Sequence, residues 1–304
     1  MLRGSTEEQR HQFAVRMLEK AGVPPDPALL AAFGAVRRED FVGPPPWLLS
    51  SHGGYRRAPS EGVDCLYDDV LVALDALRGV NNGSPSLHAL GIHALSPKPG
   101  ERVCHIGAGT GYYSAILAEM VGADGHVTAV EYDAGLAARA EACLAGRANV
   151  EVVRGNGLEW PQDDVDIVYV NFAVDQPAGP WVDRLEPGGR LLFPLGVPIF
   201  EERGMRPVYS AMAGYLLVQR EKHGYAARFI ESVSFVWAEG AQFSDWASHA
   251  RLRTAFADNW RAVRSLRWKQ PEQPDEWYSE DDWGLSTHPP GRIADPEVPG
   301  EFPS

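Results

Sequence analysis

A chain of 304 residues, 44% hydrophobic and 23% charged, has a globular composition, which excludes full disorder and allows a sizeable core. A formal net charge of -13 opposes a nucleic-acid backbone, so no nucleic-acid partner is expected. No run approaches the ~18 apolar residues of a membrane span, and the polar start MLRGSTEEQRHQ lacks a secretory stretch. The cysteines Cys65, Cys104 and Cys143 suit neither a disulfide framework nor a zinc site. The expectation is a cytoplasmic protein with no metal and no membrane partner.

Residues 6–20 place Phe13, Ala14, Met17 and Leu18 at helical spacing, and Gly22, Pro24 and Pro25 end that run. A second helix is predicted over Pro27 to Val36, and residues 43–62 read as loop. Ser84 can cap a third helix, opened by Pro85 and running to Leu95. From residue 101 the pattern changes. The runs RVCHI, HVTAVE, VEVV, DIVYVN and RLLFPL are short and β-rich, and the helix-compatible stretches 110–121, 134–145 and, more weakly, 176–185 separate them. Alternation of this kind predicts an α/β fold, a doubly wound, mostly parallel sheet covered on both faces. Residues 208–219 and 225–237 predict an antiparallel edge hairpin. The series Phe243, Trp246, Leu252, Phe256, Trp260, Val263 and Trp268 predicts a C-terminal helical extension, followed after Pro271 by a loose acidic tail. Six basic residues between 250 and 269 abut that tail, which carries nine acids against Arg292. The domains expected are an N-terminal helical and substrate-binding region over 1–96, a cofactor-binding domain over 97–240 and the extension over 241–304.

The most informative stretch is Val103 to Gly111, a strand running into Gly107, Gly109 and Gly111 and then a helix. Such glycines let a ligand approach the backbone, and the following helix presents its free amides there. The spacing is G-x-G-x-G, not the dinucleotide pattern G-x-G-x-x-G. Glu131 ends the next strand, twenty positions after Gly111, where a carboxylate can accept both ribose hydroxyls. Asn156 and Gly157 follow the third strand and suit an adenine edge. A nucleoside site is the reading.

Across residues 101–196 these pieces resemble the class I S-adenosylmethionine-dependent methyltransferases. Val36 to Val42, Tyr67-Asp68-Asp69, Pro85 before the glycine loop and the closing PGGRLLFPLG narrow this to a resemblance, over roughly residues 10–237, to protein-L-isoaspartate O-methyltransferases. The resemblance implies S-adenosyl-L-methionine as cofactor and a side-chain carboxylate of a peptide or protein as acceptor. The family's G-Q-T-I-S-Q-P segment is here Gly79-Val-Asn-Asn-Gly-Ser-Pro85, so Gly83 stands at the serine position and Asn81 at the threonine position, with Ser84 one place later. His105 and Asn156 replace two acids usual on the cofactor side. Ordinary isoaspartyl peptides are therefore expected to be poor substrates.

Methyl transfer from a sulfonium to an ionised carboxylate needs alignment and no general base. Ser84, Asn81 and Asn82 offer neutral donors near the expected methyl; the alternative is that they form only a turn and a helix cap. His88 shares a helix face with Ser84, and either it or His105 is a natural proton acceptor if the substrate is an amine or hydroxyl. Tyr112 and Tyr113 are placed to flank the sulfonium. The resulting candidate set is Ser84, Asn81, Asn82 and His88 for catalysis, and His105, Gly107, Gly109, Gly111, Tyr112, Glu131, Asn156 and Gly157 for the cofactor. A small-metabolite methyltransferase, with an O or N acceptor, and a non-catalytic cofactor-binding scaffold are the competing readings.

Overall fold

The computed structural model describes residues 4–52, 54–200, 207–239 and 244–291; Phe243 and the last stretch of the acidic tail lie outside the described residues. Helix α1 (Glu7–Lys20) is capped by Thr6, which accepts from the Gln9 amide, and it buries Phe13, Ala14, Met17 and Leu18. Helix α2 (Pro27–Ala35) is capped by Asp26 and opened by proline. Where a loop was expected over 43–62, strands β1 (Leu48–Ser51) and β2 (Gly54–Arg57) pair as a hairpin. A second small hairpin, β3 (Ala73–Asp75) with β4 (Val80–Asn81), precedes α3 (Pro85–Leu95).

The alternating part follows as β5 (Arg102–Ile106), α4 (Tyr112–Val121), β6 (His126–Glu131), α5 (Ala134–Leu144), β7 (Val150–Arg154), β8 (Val165–Val170) and α6 (Gly179–Asp183), then the long antiparallel strands β9 (Leu185–Phe200), β10 (Pro207–Glu221) and β11 (Gly224–Val233). Strands β7, β6, β5, β8 and β9 lie side by side and parallel, as the sequence pattern requires. The antiparallel part is larger than one edge hairpin. Beyond β11, helix α7 (Trp246–Ala257) gives way to strands β12 (Ser265–Trp268), β13 (Glu276–Ser279) and β14 (Trp283–Ser286), which extend one ten-stranded sheet. The extension is thus helical only in its first third, and its acidic part is ordered sheet through Ser286. The expected helix stops at Ala257; Val263 follows a short 3-10 turn over Trp260–Ala262, and Trp268 lies in strand β12, opposite Trp283.

Alternate residues of the central strands feed two cores. Val103, Ile167, Tyr169 and Leu192 pack with the N-terminal helices and α4, and Cys104, Ile106, Val168 and Phe193 pack with Trp181, Leu252 and Leu285. This double cover places the carboxyl ends of β5, β6 and β8 at one rim, where loops can build a site.

Candidate active site

Two cavities open at that rim. One, of about 260 Å³, is lined by Glu131, Asp133, Asn156, Gly157, Phe172 and Trp237 among others; the other, of about 460 Å³, by Tyr55, Asn82, Ser84, His88, Tyr113 and Tyr209 among others. Asn81, Gly107, Gly109, Asn171 and Val236 line both, so the cavities meet at the glycine loop.

In the smaller cavity Gly107 and Gly109 have φ of 75° and 59°, a left-handed conformation that favours glycine. A side chain at Gly109 would meet only the Leu74 methyl, at 3.4 Å, so this glycine keeps backbone open to the cavity. Glu131 is fixed by two amides, Gly109 at 2.8 Å on one oxygen and Asp133 at 2.9 Å on the other, and each oxygen keeps a lone pair for a further donor. Burial pushes its carboxyl above the usual range, and the amides offset only part of that. Asn156 caps a short helical turn by accepting from the Leu158 amide, which seats Gly157 against Ile106 and Phe172. Asn171 was not anticipated: its Nδ2 donates to His105 Nε2 at 2.6 Å, and its buried Oδ1 has no partner among the described residues.

Three residues expected at the cofactor lie elsewhere. His105 is fully buried between Ser114 and Asn171, and it acts on the cavity only by holding Asn171. Gly111 lines neither cavity; a Cβ there would sit 2.5 Å from Leu144, so it is glycine for packing against α5. Tyr112 packs edge-on against Phe33 and Phe41 and lines only the larger cavity, and Tyr113 likewise stays out of the smaller one.

The larger cavity gathers all four candidates for catalysis, in roles that the sequence does not distinguish. The Ser84 hydroxyl donates to Asp69 at 2.8 Å and caps α3, so its proton is committed. Burial alone would raise the Asp69 carboxyl, but hydrogen bonds from Lys20, Ser86 and Ser84 outweigh it and hold it at about 2. Asn82 accepts from the Val72 amide and from Arg38, and its buried Nδ2 has no partner among the described residues. Arg38, itself fully buried, donates also to the carbonyls of Leu66, Asp68 and Val70 and so pins the segment leading to the cavity. Asn81 accepts from the Gly83 amide and donates through Nδ2 to the Gly79 carbonyl and toward the Tyr55 hydroxyl.

His88 stacks on Tyr113 at 3.6 Å and 8°, and its Nδ1 lies 2.6 Å from the Tyr169 hydroxyl. Burial, with a smaller contribution from His105, holds this imidazole well below its ordinary value, so it is neutral. The Tyr169 hydroxyl contacts both Nδ1 and the Tyr215 hydroxyl; when it donates to Nδ1, the single ring proton of the neutral imidazole stands on Nε2. The Nε2 edge lies against Gly83, where it borders the larger cavity.

The family model for protein-L-isoaspartate(D-aspartate) O-methyltransferase matches residues 9–223. A protein-L-isoaspartate O-methyltransferase of Aeropyrum pernix is 34% identical over 189 residues, 60% of this chain and 66% of that one, and a second from Anaeromyxobacter is 30% identical over 232 residues, 75% and 84%. The chain thus spans just under two thirds of the Aeropyrum protein. Among solved structures, a protein-L-isoaspartate O-methyltransferase superposes with a TM-score of 0.59 at 25% identity, covering 77% of this chain and 66% of the other. S-adenosylmethionine is the cofactor, and the residues present fit it. Glu131 suits the ribose hydroxyls, Asn156 and Gly157 the adenine, and the orphaned Asn171 Oδ1 can accept from the ammonium of the amino-acid end. By sequence, fold and the shape of this site, the chain belongs to the protein-L-isoaspartate(D-aspartate) O-methyltransferase family.

Proposed function

We propose that the chain transfers the methyl group of S-adenosylmethionine to an aspartyl or isoaspartyl side-chain carboxylate of a peptide or protein. When bound, the cofactor supplies an electrophilic methyl on a positively charged sulfur. A carboxylate oxygen forms the new O–C bond as the S–C bond breaks, leaving a methyl ester and neutral S-adenosylhomocysteine, and no proton moves. Opposite charges vanish in that step, so a site that holds the carboxylate with neutral donors does not stabilise its charge against reaction.

The observation that carries this reading is the chemistry of the larger cavity. Among the described residues its lining holds no Lys, Arg, Asp or Glu, whereas Asn82 and Asn81 bring amide protons to it beside the glycine loop. The same geometry disfavours an amine or hydroxyl acceptor, which needs a base. His88 Nδ1 is engaged with the Tyr169 hydroxyl, and both ring nitrogens of His105 are taken, by Ser114 and Asn171.

The test is methylation of aspartyl and isoaspartyl peptides with methyl-labelled cofactor, followed by mild alkali. Label released as methanol is the expected result, because carboxyl esters are base-labile. Label retained through alkali indicates an N-methyl product and refutes the proposal, as does cofactor binding without turnover on any carboxylate peptide.

A further inference from the structure

The turn before α3 holds an exchange of side chains that redefines how the acceptor is gripped. Gly83 has φ of 75°, and a Cβ built on it would lie 2.1 Å from His88 Nε2 and 2.7 Å from His88 Cδ2. The space a side chain at position 83 would take is thus filled by the edge of an imidazole from the next helical turn. That imidazole is firmly placed: it stacks on Tyr113, meets Tyr169 edge-on at 5.9 Å and is hydrogen-bonded to the Tyr169 hydroxyl. Among the described residues, Nε2 has no hydrogen-bond partner, although His88 borders the cavity. A rigid ring nitrogen without a partner at a cavity wall is open to one, and with the ring proton on Nε2 that partner is an acceptor.

We propose that His88 is an acceptor-binding and specificity-determining residue, its Nε2–H donating to the substrate carboxylate where a side chain at position 83 would otherwise do so, and that Tyr169 is the positioning residue that fixes this tautomer. The proposal rests on the carboxylate reading above. It follows that the pocket selects for a substrate oxygen with a free lone pair, and against an ammonium, which has none to accept with. Ser84 cannot take over the task, since its proton goes to Asp69 and the hydroxyl is held at the start of α3. Asn82, held by Val72 and Arg38, belongs to the same lining and supplies a second donor.

The experiment uses the full chain labelled with ¹⁵N-histidine, an isoaspartyl peptide as probe and S-adenosylhomocysteine in the cofactor site. The neutral Nε2–H tautomer is expected for His88, with a resonance that moves when the peptide is added; Tyr169→Phe is expected to mix the tautomers. In turnover, His88→Leu is expected to lower kcat/KM for the peptide by about 10- to 100-fold, the scale of one hydrogen bond to a charged group, with S-adenosylhomocysteine affinity unchanged. His88→Gln, which returns an amide N–H near Nε2, is expected to recover most of that loss. An Nδ1–H tautomer, a resonance unmoved by saturating peptide, or full kcat/KM in His88→Leu overturns the proposal. Absence of any carboxylate methylation by the wild-type chain would instead sink the functional reading, while the tautomer and its response to peptide still decide the role of His88.

Discussion

At the scale of single residues, the strongest expectation concerns Glu131. Its two oxygens are each already held by one amide, so the carboxylate is preorganised to accept two hydroxyls at no further ordering cost. Glu131→Ala removes a charged acceptor pair and is expected to weaken S-adenosylhomocysteine binding by about 1.5–3 kcal/mol in calorimetry; unchanged affinity would remove Glu131 from the site. Glu131 and Gly109 are legible in the sequence because both stand at strand ends in a fixed order along the chain. Gly111 and Tyr112 misled for a physical reason: a glycine that admits Leu144 is spelled like one that admits a ligand, and an aromatic ring on the first turn of α4 can face either side. Asn171 and Tyr169 escaped notice because they come from the end of β8, more than sixty positions beyond His105 in the chain, and reach the site only through the parallel pairing of β5 with β8. No spacing rule marks a neutral residue brought in by sheet register.

At the scale of elements, the β3–β4 hairpin does what a loop cannot. Its Arg78 spans the smaller cavity, pairing with Asp133 at 2.6 Å on one side and Glu239 at 2.6 Å on the other, while Leu74 lies over Gly109. Asp133 stands two residues after Glu131 at the end of β6, so the hairpin is fastened to the cavity at both walls. These pairs are partly exposed and therefore individually weak and screened by salt. Arg78→Ala is expected to speed release of S-adenosylhomocysteine by about 2- to 5-fold, consistent with pairs worth at most about 1 kcal/mol, with little change in fold stability. Added salt should speed release from the wild-type chain and leave the variant almost unaffected; equal salt dependence in stopped-flow would show that the ion pairs do not hold the hairpin. The main helices and the strands β5 to β9 were legible because their periodicities run over many residues. The hairpins at 48–57 and 73–81 were not, since strands of two to four residues show no alternation to read.

At the scale of the whole molecule, two features set its stability. The first is the buried pair of neutral imidazoles. Burial holds His105 down at about 3 and His88 well below its ordinary value, whereas both rings take a proton near pH ~6.5 once the chain unfolds. Below that pH the unfolded state binds more protons, so stability is full above ~6.5 and falls as the pH drops toward the folded values, by about 1.4 kcal/mol per unit for each ring. Urea midpoints at pH 7 and pH 5 should show this loss, and His88→Gln should make it shallower; equal slopes would show that the rings are not held neutral. The second feature is the C-terminal extension, whose place in the sheet decides between a role in stability and a role in substrate selection. The described lining of the larger cavity ends at Val236, and that of the smaller at Glu239. Strand β12 instead continues the sheet from β11, and Leu252, Val263 and Leu285 are fully buried in the same core as Leu216 and Val218. Basic and acidic runs that looked like separate patches are paired within this unit: Arg251 with Glu280, and the buried Arg267 with Glu276 and with the carbonyls of Gln270, Glu280 and Trp283. A buried charge stripped of such partners costs several kcal/mol, so Glu276→Ala is expected to destabilise the protein by about 3–5 kcal/mol. Methyl transfer by the still-folded fraction should be unchanged, because neither residue borders the cavities. Truncation after residue 240 should expose the core face of β10 and β11 and abolish cooperative unfolding, a loss of folding and not of selectivity. A truncated chain that unfolds like the full one, binds S-adenosylhomocysteine normally and merely accepts the wrong substrates would assign the extension to recognition instead.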